Sequence, residues 1–259
     1  MTYQSLDVLP IWGIYLVTVV GSLLFAELGY QLGKRQQLAE EGKQGTVGSL
    51  SGATLALLAF LLVFLIGIAS NRFDNRRQLV IKEANAIGTT YLRAGYLEEP
   101  YRTDIRDLLQ EYVDIRLAAV ADPSKLPQAI TRSEEIQAAM WAQAETLARA
   151  NPDSDVIALF IVALNEVIDV HGERTAAIYN RISLNIWLVL FFMAGITMLI
   201  VGFQNGLAGN RNFVALLALI LVFSAVILLI VDLDRPQQGL LQISQQALVD
   251  LQRQISAGP

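Results

Sequence analysis

The chain has 259 residues, 54% of them hydrophobic and 17% charged, against the ~25% charged residues of an ordinary soluble domain. Its net charge of −5 is small and dispersed, which gives no ground for a nucleic-acid-binding surface. There is no cysteine and only one histidine, His171, so thiol chemistry, disulfides and a multi-histidine metal site are excluded.

Two long apolar runs open the chain, at Leu9–Gly33 and Val47–Ser70. Two more lie in the last third, at Ile186–Phe203 and Phe213–Val231. Each supplies most of the ~20 apolar residues that a helix needs to cross hydrocarbon. The fourth is the cleanest, with Ser224 its only polar residue. The first is expected to be a retained helix and not a signal peptide, because no Lys or Arg precedes it and Asp7 does. Between the second and third runs lies a long polar segment.

Lys and Arg positions set the expected orientation. Lys34, Arg35, Lys43 and Arg211 lie in the two connections within the pairs. Arg72, Arg76, Arg77, Lys82, Arg93, Arg174, Arg181 and Arg235 lie on the opposite side and hug the run ends. Both termini and the polar segment are therefore expected in the cytoplasm. The fold class that follows is all-α: four transmembrane helices in a 2 + 2 arrangement, with a cytoplasmic helical bundle inserted between the second and third. In residue terms, 9–70 hold transmembrane helices one and two and 71–183 the bundle. Transmembrane helices three and four occupy 184–232, and a cytoplasmic tail 233–259.

Good helix formers continue run two past the membrane until Glu98-Glu99-Pro100 stops them, with Gly88 and Gly95 as weak points. Ile105, Leu108, Leu109, Tyr112 and Ile115 recur at helical spacing. Pro123 and Pro127 mark a turn, and Thr131 with Glu134 reads as a capping box for a third helix. Asn151-Pro152-Asp153 predicts the next helix start, with Asn151 as the cap. From there Ile157, Ile161, Leu164, Ile168, His171, Thr175, Ile178 and Ile182 form a seam on one long helix expected to lead unbroken into run three.

Three motifs then stand in order: Glu83-Ala84-Asn85-Ala86-Ile87-Gly88-Thr89-Thr90-Tyr91-Leu92-Arg93, Leu164-Asn165-Glu166-Val167-Ile168-Asp169-Val170-His171, and Asp232-Leu233-Asp234-Arg235-Pro236. With the Ser244-Gln245-Gln246 element after them, they resemble the signatures of the bestrophin-like domain family of bacterial integral membrane proteins. The resemblance covers nearly the whole chain. It implies remote kinship with bestrophins, which are pentameric ion channels with a pore lined by the second membrane helix. The expectations that follow are a homo-oligomer, favoured as a pentamer, in a bacterial inner membrane, passing inorganic ions without a cofactor. Two departures stand out. The acidic run that forms the calcium clasp of animal bestrophins is absent, and Ser183 stands where many relatives carry proline.

The pore candidates on run two are Leu57, Phe60, Phe64, Gly67 and Asn71, a face able to form a hydrophobic constriction. The competing expectation for the phenylalanines is lipid or a neighbouring helix. Gly52, Ala56 and Ala59 suggest a face in close helix contact. Glu27, Asp232 and Asp234 are candidate acidic groups of an ion path and favour cations over anions. Lys34 is a possible partner for Glu27, and the two aspartates at a helix C-terminus call for compensation from Arg235, another helix or a cation, a structural salt bridge being the commoner answer. Glu166, Asp169 and Glu173 are weak metal candidates; solvated acids paired with Arg174 or with arginines of the first cytoplasmic helix weigh more heavily. His171 is expected buried and hydrogen-bonded, and Glu83, Asn85 and Thr89 are expected paired in the bundle core. No catalytic constellation appears, so an enzyme is not expected. A non-conducting scaffold or regulatory protein acting through the bundle is the alternative to a channel.

Overall fold

The computed structural model describes residues 9–36, 44–209, 211–236 and 239–257, with Gln44 described by its backbone alone. Asp7 and Lys43 lie outside the described residues. Among the described residues all regular structure is helical: α1 (Ile11–Gln36), α2 (Gln44–Ala94), α3 (Tyr101–Ala121), α4 (Leu126–Ala150), α5 (Asp155–Tyr179), α6 (Leu184–Leu207), α7 (Phe213–Asp234) and α8 (Gln246–Ser256), with a short 3₁₀ turn at Pro123–Lys125. Four helical stretches are long and apolar enough to cross a membrane; they contain the last three runs and the first from Ile11 onward. The chain divides into two compact units. One holds the described residues of 1–72 and 181–241, the other those of 73–180 and 242–259.

In the first unit α1 and α6 pack backbone to backbone. A Cβ added at Gly29 or Gly33 would collide with the carbonyl of Leu199 or Phe203. One added at Gly202 or Gly206 would collide with the carbonyl of Ala26 or Tyr30. Both helices thus carry glycine every fourth residue at their contact, the spacing that lets membrane helices approach closely. Ala26, Met198 and Ile220 form a small apolar core among α1, α6 and α7. Gly52, by contrast, has no atom within 4 Å of an added Cβ, and Ala56 and Ala59 are exposed. Within one subunit the close helix contact is made by the glycines of α1 and α6.

The second unit gathers the C-terminal part of α2 with α3, α4, α5 and α8 around a larger core. Ile87, Leu109, Tyr112, Met140, Phe160, Leu164 and Leu248 are all fully buried in it. The helix α8 extends what was expected to be a tail, and it buries Leu248, Leu251 and Ile255. On α5 the buried face holds Ile157, Phe160, Leu164, Val167 and His171, so it is rotated from the expected seam. Ile161, Ile168, Thr175 and Ile178 are only half-buried.

Four local expectations are corrected. The helix α2 stops at Ala94, one residue before Gly95, and not at Pro100. Thr131 caps nothing: α4 starts earlier, at Leu126 with Pro127 in its first turn, and the Thr131 hydroxyl donates back to the Pro127 carbonyl at 3.3 Å. Asn151 closes α4, and Ser154 is the residue that caps α5, accepting from the Ile157 N–H at 3.4 Å. The helix α5 does not continue into α6. Asn180 leaves helical geometry, Ile182 is fully buried and α6 restarts after Ser183.

Candidate functional site

The helix α2 is 51 residues long, contains no proline and has two unlike sides in its apolar part. Leu58, Leu62, Leu65 and Ala69 are buried within the first unit. On the other side Leu57, Phe60 and Phe64 are 54%, 69% and 58% exposed. Gly67 and Asn71 are exposed as well. The spacing of three and four residues puts these five positions on one stripe. The structure therefore brings all five candidates onto one unpartnered face of a single subunit.

The acidic candidates are placed differently. Glu27 accepts from Arg211 at 2.5 Å and from Gln31 at 3.2 Å, so its partner is the α6–α7 connection and not Lys34. Asp232 and Asp234 are 3% and 1% exposed. Asp232 accepts the backbone N–H groups of Leu240 at 2.6 Å and Leu241 at 3.0 Å. Asp234 faces Arg72 at 3.5 Å and Arg181 at 3.3 Å, and it accepts the Ile182 N–H at 3.0 Å. Two arginines thus offset a carboxylate at the helix end where the dipole disfavours it. The Arg235 guanidinium donates to the Leu9 carbonyl at 2.7 Å. With Glu27 ion-paired and both aspartates buried among donors, the charge argument for cation passage loses its free acids.

The second unit contains a buried ionic cluster. Glu83 of α2 is fully buried and meets Arg116 of α3 at 3.3 Å and Arg174 of α5. Burial alone would raise the Glu83 carboxyl, but the two guanidiniums outweigh it and hold the group below its ordinary value. The Tyr112 hydroxyl lies 2.9 Å from Glu83 Oε1 and 2.9 Å from His171 Nδ1. An ionised carboxylate only accepts, so the phenol donates to Glu83 and accepts from His171 Nδ1–H. That assigns the tautomer and leaves His171 Nε2 without a proton and without a hydrogen-bond partner. Burial and the nearby Arg116 push the His171 pKa down to about 4, so the ring is neutral near pH 7. Arg174 also donates to Gln245, just before α8, at 3.4 Å.

Glu83 and His171 therefore sit where the sequence put them, whereas Asn85 and Thr89 are exposed. Tyr112 and Arg116 were overlooked as functional-group candidates. Ile105, Leu109, Tyr112 and Arg116 share one buried stripe of α3, and an arginine continuing an apolar stripe was the available signal. The weak metal candidates separate: Glu166 and Glu173 flank Lys82 at 3.3 and 3.2 Å, and Asp169 accepts from Asn165 at 2.8 Å. Their cation is Lys82, since Arg174 is engaged by Glu83. Among the described residues no three metal-ligating acids or histidines gather.

The model of the bestrophin-like domain family matches residues 16–248. The chain belongs to that family. Solved structures agree at the level of fold. A bacterial bestrophin homologue from Klebsiella pneumoniae is 17% identical, with a TM-score of 0.67 over 94% of this chain and 96% of that one. A variant of the Klebsiella homologue is 17% identical, with a TM-score of 0.66 over 96% and 99% of the two chains. A search of curated proteins finds no match.

Proposed function

We propose that this bestrophin-like chain forms a homo-oligomeric ion channel in the bacterial inner membrane. In this reading the apolar parts of α1, α2, α6 and α7 cross the bilayer in 2 + 2 order. Residues 71–183 form a cytoplasmic bundle, and both termini are cytoplasmic. Four helices of one subunit leave no room to enclose a pore, so several copies, five by kinship, surround the path. The observation that carries the reading is the exposed face of α2. A helix otherwise packed on its own subunit leaves Leu57, Phe60, Phe64, Gly67 and Asn71 for something outside that subunit. Around an axis, stacked phenylalanine rings form an apolar neck that limits ion passage by resisting wetting. Asp232 and Asp234 are committed inside the first unit, so the neck and not a ring of free acids sets the barrier.

The test compares ion flux through purified wild type and the Phe60→Ala/Phe64→Ala variant in liposomes at equal protein density. A wider, wetter neck raises flux in the variant. Equal flux in both puts the constriction elsewhere. No flux above empty liposomes in either sinks the channel reading and leaves a membrane scaffold acting through its bundle.

A further inference from the structure

Where α7 ends, the first unit turns its charges inward and its leucines outward. Asp232, Asp234 and Arg235 are buried there. Leu240 is 78% exposed, and Leu241, Leu9 and Leu184 are exposed as well. Hydrogen bonds within the unit bring these residues to one end. Asp232 takes the N–H groups of Leu240 and Leu241, Asp234 takes that of Ile182 just before Leu184, and Arg235 donates to the Leu9 carbonyl. Buried charge beneath exposed leucine is the reverse of the order found at a wetted surface.

Two further observations say what covers the leucines. The first is how their backbone is held. An N–H left bare at the edge of hydrocarbon is costly. The buried Asp232 carboxylate accepts one N–H on each oxygen, from Leu240 at 2.6 Å and from Leu241 at 3.0 Å. A Cβ at position 239 would collide with the same carboxylate, so Gly239 lets the chain approach closely enough to make both bonds. The second is Trp12, in the first turn of α1 and three residues after Leu9, which is 67% exposed. Tryptophan gathers at the boundary between membrane and water, where its ring meets hydrocarbon and its N–H meets a polar layer. The apolar surface also does not begin at the leucines: Val222 and Leu229, seven residues apart and so on one face of α7, are exposed along the helix that leads to them.

We propose that Gly239-Leu240-Leu241 is a membrane anchor, whose two leucine side chains insert into the acyl boundary of the cytoplasmic leaflet at the level of Trp12. Asp232 holds the backbone that carries them. The bilayer then reaches past the last turn of α7, and the buried charges of Asp232, Asp234 and Arg235 lie at its edge, shielded from water by the leucines. This anchor rests on the proposed crossing of the bilayer by α1 and α7. It commits the leucines to lipid and not to a second copy of the chain.

The chain has no cysteine, so one introduced thiol carries a nitroxide without background. Leu240→Cys is labelled in the full chain and reconstituted in liposomes of phosphatidylcholine and phosphatidylglycerol. Relaxation of the label is measured with oxygen, which concentrates in hydrocarbon, and with a neutral nickel chelate, which stays in water. Val222→Cys on α7 and Ser124→Cys in the turn before α4 are the references for hydrocarbon and for water, both at exposed positions. The expected result is that oxygen acts more strongly than the chelate at position 240, as at 222 and opposite to 124. A water-like balance at 240 overturns the anchor. Low access to both reagents at 240 overturns it too and gives the leucines to a second copy. A water-like balance at 222 removes the crossing itself, so failure of the anchor and failure of the proposed topology are told apart.

Discussion

The two units solve the same packing problem with opposite materials. In the first, helices approach by removing side chains: Gly29 and Gly33 face Gly202 and Gly206, and backbone meets backbone. In the second, helices keep their side chains and enclose a carboxylate between two guanidiniums, a phenol and an imidazole. On the proposed topology, with the first unit in the bilayer and the second in the cytoplasm, the difference follows from what surrounds each set of helices. Lipid tails are as apolar as leucine, so helices in hydrocarbon gain little by hiding apolar side chains and much by close van der Waals contact. A bundle in water is driven together by apolar burial, and a carboxylate buried in it needs opposite charges and hydrogen-bond donors around it. One unit should therefore be sensitive to added volume, the other to lost charge.

The largest expected effect is on charge. Glu83→Ala leaves Arg116 and Arg174 facing each other with no anion between them, and breaking a buried pair this way costs ~3–5 kcal/mol. Thermal unfolding of the detergent-solubilised variant, followed by circular dichroism, should show the helices of the second unit lost first. An unchanged melting curve would mean that the cluster is not what holds these helices together.

Next comes the histidine of the same cluster. Its folded pKa of about 4 lies below the ordinary 6.5, so between those values the unfolded chain binds a proton that the folded chain refuses. Stability from this group is full above pH 6.5 and is lost as pH falls toward 4. Across the window the loss amounts to roughly 3 kcal/mol. Glu83 acts in the same direction, since a carboxyl held below its ordinary value of 4.5 loses its contribution as acid protonates it. His171→Gln should flatten the dependence of the melting temperature on pH between 6.5 and 4 and leave the steeper acid limb to Glu83. A variant with the wild-type slope would show that the histidine is not the group refusing the proton.

Much of this contrast could be read from the residues, and the parts that could not have identifiable causes. Length and hydropathy suffice for the four apolar helices, and proline punctuation placed the turn before α4. The break between α5 and α6 was invisible because apolar periodicity runs through it. What stabilises the break is Asp234, more than fifty positions away, which takes the Ile182 N–H. Helix α8 carried a plain i, i+3, i+7 pattern at Leu248, Leu251 and Ile255, but its eleven residues are too few to be convincing without the core they join. Within the membrane runs, periodicity says little about which face is covered, because protein and lipid are both apolar. Gly52-Ala56-Ala59 and Gly29-x-x-x-Gly33 carry similar small-residue spacing, and only the fold separates them. The stripe from Leu57 to Asn71 was legible at helical spacing; its exposure was not.

The smallest effect tests that separation directly. Gly202→Val drives a branched side chain into the carbonyl of Ala26, and the backbone on both sides has no rotamer with which to yield. Overpacking of this kind typically costs ~1–3 kcal/mol and is felt wherever α1 and α6 must close. Gly52→Val places the same side chain where nothing stands within 4 Å in the subunit, so its fold has no reason to change. Both variants carry the same loss of glycine and the same gain of a β-branched residue, so intrinsic helix propensity cancels in the comparison. The measurement is the thermal midpoint in detergent beside the native mass of the particle. Gly202→Val should melt lower. Gly52→Val should melt like wild type as a subunit, and any change should be in the mass, because a face left open by one chain is free to meet another. Equal melting of the two would mean that the glycine contact contributes nothing special to the first unit. A Gly52→Val protein that unfolds as a monomer would mean that α2 is packed within its own subunit on the side that the structure leaves open.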